Sequence, residues 1–186
     1  MFDCASFTQL LYYMHDFKRN LNRKSLRLPN CDYTQTGAFF ITMITKNREC
    51  LFGSVFQSEI RLSPLGNIVN DVWQSIPLHF PQATVNHFVI MPNHIHGIIS
   101  MAGARHMPQQ NFEQFGKPVS GSIPTIIRSF KSEVTRRFNI LRNSPGGKVW
   151  QRNFYERVIR DEEEFQKLSD YILANPLNWH EDQHFR

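Results

Sequence analysis

The stretch Val89-Ile-Met-Pro-Asn-His-Ile-His-Gly-Ile-Ile-Ser100 sets two histidines two residues apart in an apolar, β-branched run. Side chains alternate across a strand, so His94, His96 and Ile98 point one way and Ile95, Gly97 and Ile99 the other. The isoleucine side can pack on a core. On the histidine side, neighbouring Cα atoms lie ~6.8 Å apart, and two imidazoles can converge on one divalent cation at about 2.1 Å. A single strand histidine is commonly a half-buried, hydrogen-bonded residue. Two on one face, just after a Met-Pro-Asn turn, form a clamp that needs a third ligand.

Working outward, His87 to Met91 and His94 to Ser100 read as extended segments interrupted at Pro92, compatible with one strand carrying a bend. Upstream, the aromatic and β-branched run from Gly37 to Thr45 predicts the first strand. Ser63-Pro64 supplies an N-cap and a first-turn proline, and Leu65, Ile68, Val69, Val72, Trp73 and Ile76 follow at helical spacing up to Pro77. Downstream, residues 101 to about 121 have the composition of a mobile loop. A helix is predicted from Ile123 to Phe138, with Arg128, Lys131, Arg136 and Arg137 off its apolar stripe, where they could track a phosphate backbone. Val149 to Ile159 reads as a further strand, kept basic by Arg152 and Arg157. Asp161 caps a last helix with Phe165, Leu168 and Ile172 on its apolar stripe. At 100° per residue, Asn175 falls beside Leu168, with Tyr171 at i−4, before Pro176 ends the element. An amide within an apolar stripe is costly unless it has a partner.

Length and composition bound the classes open to this chain. Its 186 residues, 41% hydrophobic and 13% aromatic with sixteen phenylalanines, are enough for one globular domain with a real core. We divide it into a basic extension, residues 1–30, holding Lys18, Arg19, Arg23, Lys24 and Arg27, and a single catalytic domain, residues 31–186. The net charge of +5 and sequence pI of about 9.3 favour a polyanionic partner, nucleic acid first. Cys4, Cys31 and Cys50 show no C-x-x-C spacing, so neither a disulfide framework nor a thiolate zinc site is indicated and a reducing cytoplasm fits. No signal peptide is read at the N-terminus, and no run approaches the ~20 apolar residues of a membrane span.

Two imidazoles from a strand and one amide oxygen from a helix would hold a divalent cation with coordination positions left open, as a catalytic site requires. Nitrogen and oxygen ligands without thiolate suit Mg2+ or Mn2+ used with substrate phosphate, although affinity alone also admits zinc, nickel or copper. Tyr171, one turn from Asn175, would present its phenol near the same ion. Nearby positive charge favours the phenolate, so attack on a polarised phosphodiester is chemically sensible. Tyr155, near Arg152 and Arg157, is the rival phenol.

Met91-Pro-Asn-His-Ile-His-Gly97, Val149-Trp-Gln-Arg-Asn-Phe-Tyr-Glu156 and Asp170-Tyr-Ile-Leu-Ala-Asn-Pro176 together resemble the single-tyrosine HUH transposases and, within them, the REP-associated tyrosine transposases of the insertion-sequence-200-like family. The resemblance runs from roughly Leu28 to Trp179. It implies an α+β fold of HUH endonuclease type, a ferredoxin-like antiparallel sheet backed by helices. His94 and His96 would be the HUH ligands, Asn175 the helix-borne third ligand and Tyr171 the nucleophile. It further implies a DNA transposase that cuts single-stranded DNA, often beside a hairpin, keeping a 5′-phosphotyrosyl link and freeing a 3′-hydroxyl. The chain departs from some relatives by ending ten residues after Pro176, where they carry a longer tail. Whether a homodimer shares its tyrosines between sites is left open.

Two other classes compete. His180-Glu-Asp-Gln-His184 matches the zinc peptidase pattern H-E-x-x-H, with His180, Glu181 and His184 as its residues, but that motif needs a core-backed helix and a further ligand beyond it. Here Pro176 precedes the motif and only Phe185 and Arg186 follow. The second is a catalytically inactive nucleic-acid-binding module, against which the joint presence of both histidines, the tyrosine and the amide argues.

Overall fold

The run that opens at Gly37 forms the first strand, as its side chains predict. In the computed structural model, which describes residues 36–102 and 119–181, β1 spans Gly37–Ile44, β2 Gly53–Phe56, β3 Glu59–Leu62, β4 Ala83–Met91, β5 His94–Met101 and β6 Tyr155–Ile159. Among the described residues they are accompanied by the α-helices α1 (Pro64–Gln74), α2 (Ile76–His79), α3 (Ile123–Leu141) and α4 (Glu162–Ala174). The basic extension and most of the expected mobile loop lie outside the described residues. Among the described residues no helix is long and apolar enough to cross a membrane.

The main sheet has the order β4-β5-β1-β6, with every neighbouring pair antiparallel. β1 and β4 are thus the outer members of a split βαβ unit with β5 between them, the ferredoxin-like arrangement that the family resemblance implies. A separate two-stranded ribbon, β2 and β3, turns at Gln57 and Ser58, both at positive φ, as a two-residue hairpin demands.

The two segments around Pro92 are not one bent strand. Met91 pairs with His94 and Val89 with His96, so β4 and β5 form a hairpin and Pro92-Asn93 is its tight turn. Pro92 sits where no ladder donor is needed. The predicted strand from Val149 is also shorter than expected: Trp150 makes one isolated bridge to Thr45, and regular pairing starts at Tyr155. Between them, Lys131 Nζ donates to the carbonyls of Gln151 (2.7 Å) and Asn153 (3.1 Å), which takes those acceptors away from a sheet.

The sheet separates two buried clusters. On one face Phe39, Ile41 and Met43 of β1 and Ile95 and Ile99 of β5 pack against α1 and α3, each fully buried isoleucine contributing about 1.5–3 kcal/mol relative to exposure. The capping predicted for α1 is present, with Ser63 Oγ accepting from Gly66 N at 3.1 Å. On the other face Phe40, Val89, Met91 and Ile98 meet α4.

Gly97 permits the close approach of α1. A Cβ at this position would lie 2.5 Å from Trp73 Cζ2 and 3.1 Å from Phe88 Cβ. Gly97→Ala is therefore expected to destabilise the fold by about 1–3 kcal/mol through overpacking, read as a lower urea midpoint. An unchanged midpoint would show that the indole can move aside freely.

Candidate active site

Alternation along β5 puts His94 and His96 on the α4 side of the sheet, while Ile95 and Ile99 enter the opposite cluster. Both histidines are fully buried, with ring centroids 4.6 Å apart. Each Nδ1 has an oxygen partner at 2.8 Å: Asn93 Oδ1 for His94 and Thr42 Oγ1 for His96. Thr42 stands directly opposite His96 across the β1–β5 ladder. Phe40 stacks on the His96 ring at 5.4 Å, and Trp179 lies 6.0 Å from His94. The pair therefore belongs to the second core.

α4 brings the other half. Asp161 Oδ1 accepts from Glu164 N at 2.8 Å, the N-cap that the sequence predicts, and three glutamates follow in the first turn, where they complement the helix dipole. Leu168, Tyr171, Ile172 and Asn175 all face inward. The Tyr171 hydroxyl lies 3.3 Å from His96 Nε2, with the rings 5.2 Å apart. Asn175 closes the helix as its C-cap, and its Oδ1 is buried with no hydrogen-bond partner among the described residues.

A buried amide oxygen without a partner costs free energy and calls for a reason. It lies one helical turn from Tyr171, whose hydroxyl reaches His96, and with the two imidazoles it would make a donor set that fits a small divalent cation. Among the described residues no three His, Cys, Asp or Glu side chains gather at one point, and the Asn175 amide is a group that could complete such a set. Sequence reading missed Thr42, Asn93 and Trp179 as neighbours of the pair. The available signal was Thr42, a hydroxyl in the otherwise apolar run Phe-Phe-Ile-Thr-Met-Ile, and it is nearly fully buried.

The basic residues are not brought to this site. α3 packs on the other face of the sheet, so Arg128, Lys131, Arg136 and Arg137 lie across it from the histidines. Glu133 binds Arg136 and Arg137 at 2.8 and 2.7 Å, and these guanidiniums hold its carboxyl down to about 2. Arg152 is exposed. Arg157, on the histidine side of β6, is ion-paired with Glu164 of α4. Tyr155 pairs with Thr42 across β1, two strands from His96. His180 is exposed in a short turn at Trp179–Glu181, and His184 lies outside the described residues.

Burial pushes the Lys131 ammonium down to about 8. Between that value and the ordinary ~10.4 the unfolded chain holds the proton and the folded one does not. Stability therefore rises with pH across this window, and the desolvation cost is carried in full below it. Relative to Lys131→Met, the wild type should gain about 1–3 kcal/mol from pH 8 to 10.5. Urea unfolding at both values checks this. Equal gains in the two proteins would mean that the ammonium stays hydrated.

No family model matches the chain. A protein of Haemophilus influenzae (strain ATCC 51907 / DSM 11121 / KW20 / Rd) named "Uncharacterized protein" is 42% identical over 168 residues, covering 87% of this chain and 92% of the relative. A second protein of that strain, named "Putative REP-associated tyrosine transposase", is 25% identical over 147 residues, 78% of this chain and 73% of the relative. Among solved structures, a REP-associated tyrosine transposase bound to a REP hairpin aligns with a TM-score of 0.51 at 18% identity, over 82% of this chain and 73% of that one. The chain is thus similar in sequence to one putative REP-associated tyrosine transposase and shares the fold of a solved one. The solved transposase carries the fold argument, and the second H. influenzae relative carries the sequence argument. The fold shared with that solved transposase is the four-stranded antiparallel sheet backed by helices that holds His94 and His96 here.

Proposed function

We propose that this protein is a metal-dependent single-stranded DNA endonuclease and strand transferase, cutting through a covalent 5′-phosphotyrosyl link on Tyr171 beside hairpin repeats. The observation that carries the reading is the meeting of the Tyr171 hydroxyl with His96 Nε2 at 3.3 Å, with the Asn175 oxygen, which has no partner among the described residues, one helical turn further on. His94, His96 and Asn175 would hold Mg2+ or Mn2+, which would polarise a phosphodiester and favour the phenolate. Tyr171 attacks phosphorus: the Oη–P bond forms and the P–O3′ bond breaks, while the phenol gives up a proton and the freed 3′-oxygen takes one up. Phe40, edge-on to the phenol at 6.2 Å, and His96 restrict its orientation before substrate arrives, which lowers the entropic part of the barrier. Because the phosphotyrosyl link keeps the phosphodiester's energy, the reverse step joins strands without an external source.

Nucleic acid as partner is supported by the charge of +5, and hairpin DNA by the REP hairpin in the solved relative. The test is incubation with labelled single strands carrying hairpins, with Mg2+ or Mn2+, followed by denaturing electrophoresis. An SDS-resistant protein–DNA adduct is expected. Binding without any adduct under either metal would leave a non-catalytic DNA-binding module, the alternative that the same basic charge permits.

A further inference from the structure

The proposed chemistry does not use Asn93, although this residue is fully buried in the turn between β4 and β5. Its amide is held at both ends. Nδ2 donates to the carbonyl of Arg48 at 3.2 Å, and Oδ1 lies 2.8 Å from Nδ1 of His94. A peptide carbonyl can only accept, so the NH2 group must face Arg48 and the oxygen must face the imidazole. An amide oxygen also only accepts, so the hydrogen between Asn93 and His94 sits on Nδ1. A neutral imidazole has one N–H, which makes Nε2 the lone-pair nitrogen.

We propose that Asn93 is a positioning residue that fixes His94 in the Nδ1–H tautomer and aims its Nε2 into the cation clamp, with the Arg48 carbonyl as the reference point. The inference rests on the reading of His94 as a metal ligand. Metal-binding histidines are oriented in this manner by a group that takes the proton of the other ring nitrogen. The same logic does not decide His96, because the Thr42 hydroxyl on its Nδ1 can donate or accept.

The backbone around Arg48 is built to hold its carbonyl in place. Asn47 and Arg48 stand at φ 57° and 58°, in the left-handed region that non-glycine residues keep only where their surroundings impose it. Backbone hydrogen bonds on both sides impose it: Thr45 N donates to Asn93 O at 2.9 Å, Lys46 N to Val149 O at 2.7 Å and Phe52 N to Pro92 O at 2.9 Å. The strained segment and the hairpin turn are thus tied together, and Asn93 is the side chain that transmits the arrangement to His94.

The test is nitrogen NMR of the 15N-histidine-labelled, metal-free protein at pH 8, together with Mn2+ titration. In the wild type, His94 should show a protonated, pyrrole-type Nδ1 and a pyridine-type Nε2. Asn93→Ala should shift the signals toward the Nε2–H form and weaken Mn2+ binding about 10- to 100-fold. Asn93→Asp keeps an acceptor for Nδ1–H while losing the donor to Arg48, so it should hold the tautomer even if it melts earlier. That split is what a merely structural asparagine would not produce. A wild-type His94 in the Nε2–H form overturns the proposal without any variant. So does Asn93→Ala with unchanged tautomer and Mn2+ affinity. If the wild type shows the Nδ1–H form but takes up no Mn2+, the tautomer lock stands and the metal reading fails.

Discussion

Tyr171→Phe is expected to bind single-stranded DNA within a few-fold of wild type and to form no covalent adduct with it. The substitution removes one oxygen from a ring that already packs between Phe40 and His96, so the fold and the DNA surface should change little. What disappears is the atom 3.3 Å from His96 Nε2. Tyr155→Phe should still give the adduct. Its Thr42 partner is also the partner of His96, which places Tyr155 two strand spacings away, ~9.6 Å at the backbone. Peptide mapping of the trapped wild-type adduct decides between the two phenols, and a nucleotide on the Tyr155 peptide would overturn the assignment.

The next largest effect is expected at the histidines. Losing an imidazole from the clamp removes charge stabilisation worth several kcal/mol, so cutting should fall about 10³-fold. His94→Ala and His96→Ala are blunt instruments for showing it. The sequence alone suggests that removing either spares the core, since Ile95 and Ile99 point the other way. In the structure both rings are fully buried and form part of the second cluster, so truncation to alanine adds about 2–5 kcal/mol of core damage. His94→Gln and His96→Gln keep most of the volume and lose the ring nitrogens. A glutamine variant that cuts at the wild-type rate with the same metal would mean that the clamp is misassigned. Asn175→Ala should be milder, about 10-fold, because water can replace one neutral oxygen, and it should lose little stability because the amide oxygen it removes has no partner among the described residues. Undiminished cutting there would make Asn175 structural.

How much of this was legible beforehand follows from which forces are local. Ser63-Pro64 and Asp161 announce their helices because capping is a matter of a few consecutive residues. The histidine face and the Tyr171–Asn175 spacing are equally local, one read from the strand period and the other from the helical turn. What could not be read is whatever one element imposes on another. Pro92 looked like an interruption of a strand because the pairing that makes it a hairpin turn lies in β4 and β5 together. The late start of β6 depends on an amino group twenty residues upstream of Gln151. Where the basic side of α3 lies relative to the histidines also depends on which face of the sheet the helix takes, and it takes the opposite one. Thr42 meets His96 across a sequence separation of 54, beyond the reach of any local pattern.

Only Arg160 and Asp161 separate β6 from α4. With β6 paired to its own β1, α4 lies back on the sheet of its own chain, where Tyr171 reaches His96. One polypeptide therefore supplies both the imidazoles and the phenol. The reaction should be first order in protein, with adduct formation at saturating DNA indifferent to dilution. An equimolar mixture of Tyr171→Phe and His96→Gln chains should regain no cutting, since neither can lend the other the half it lacks.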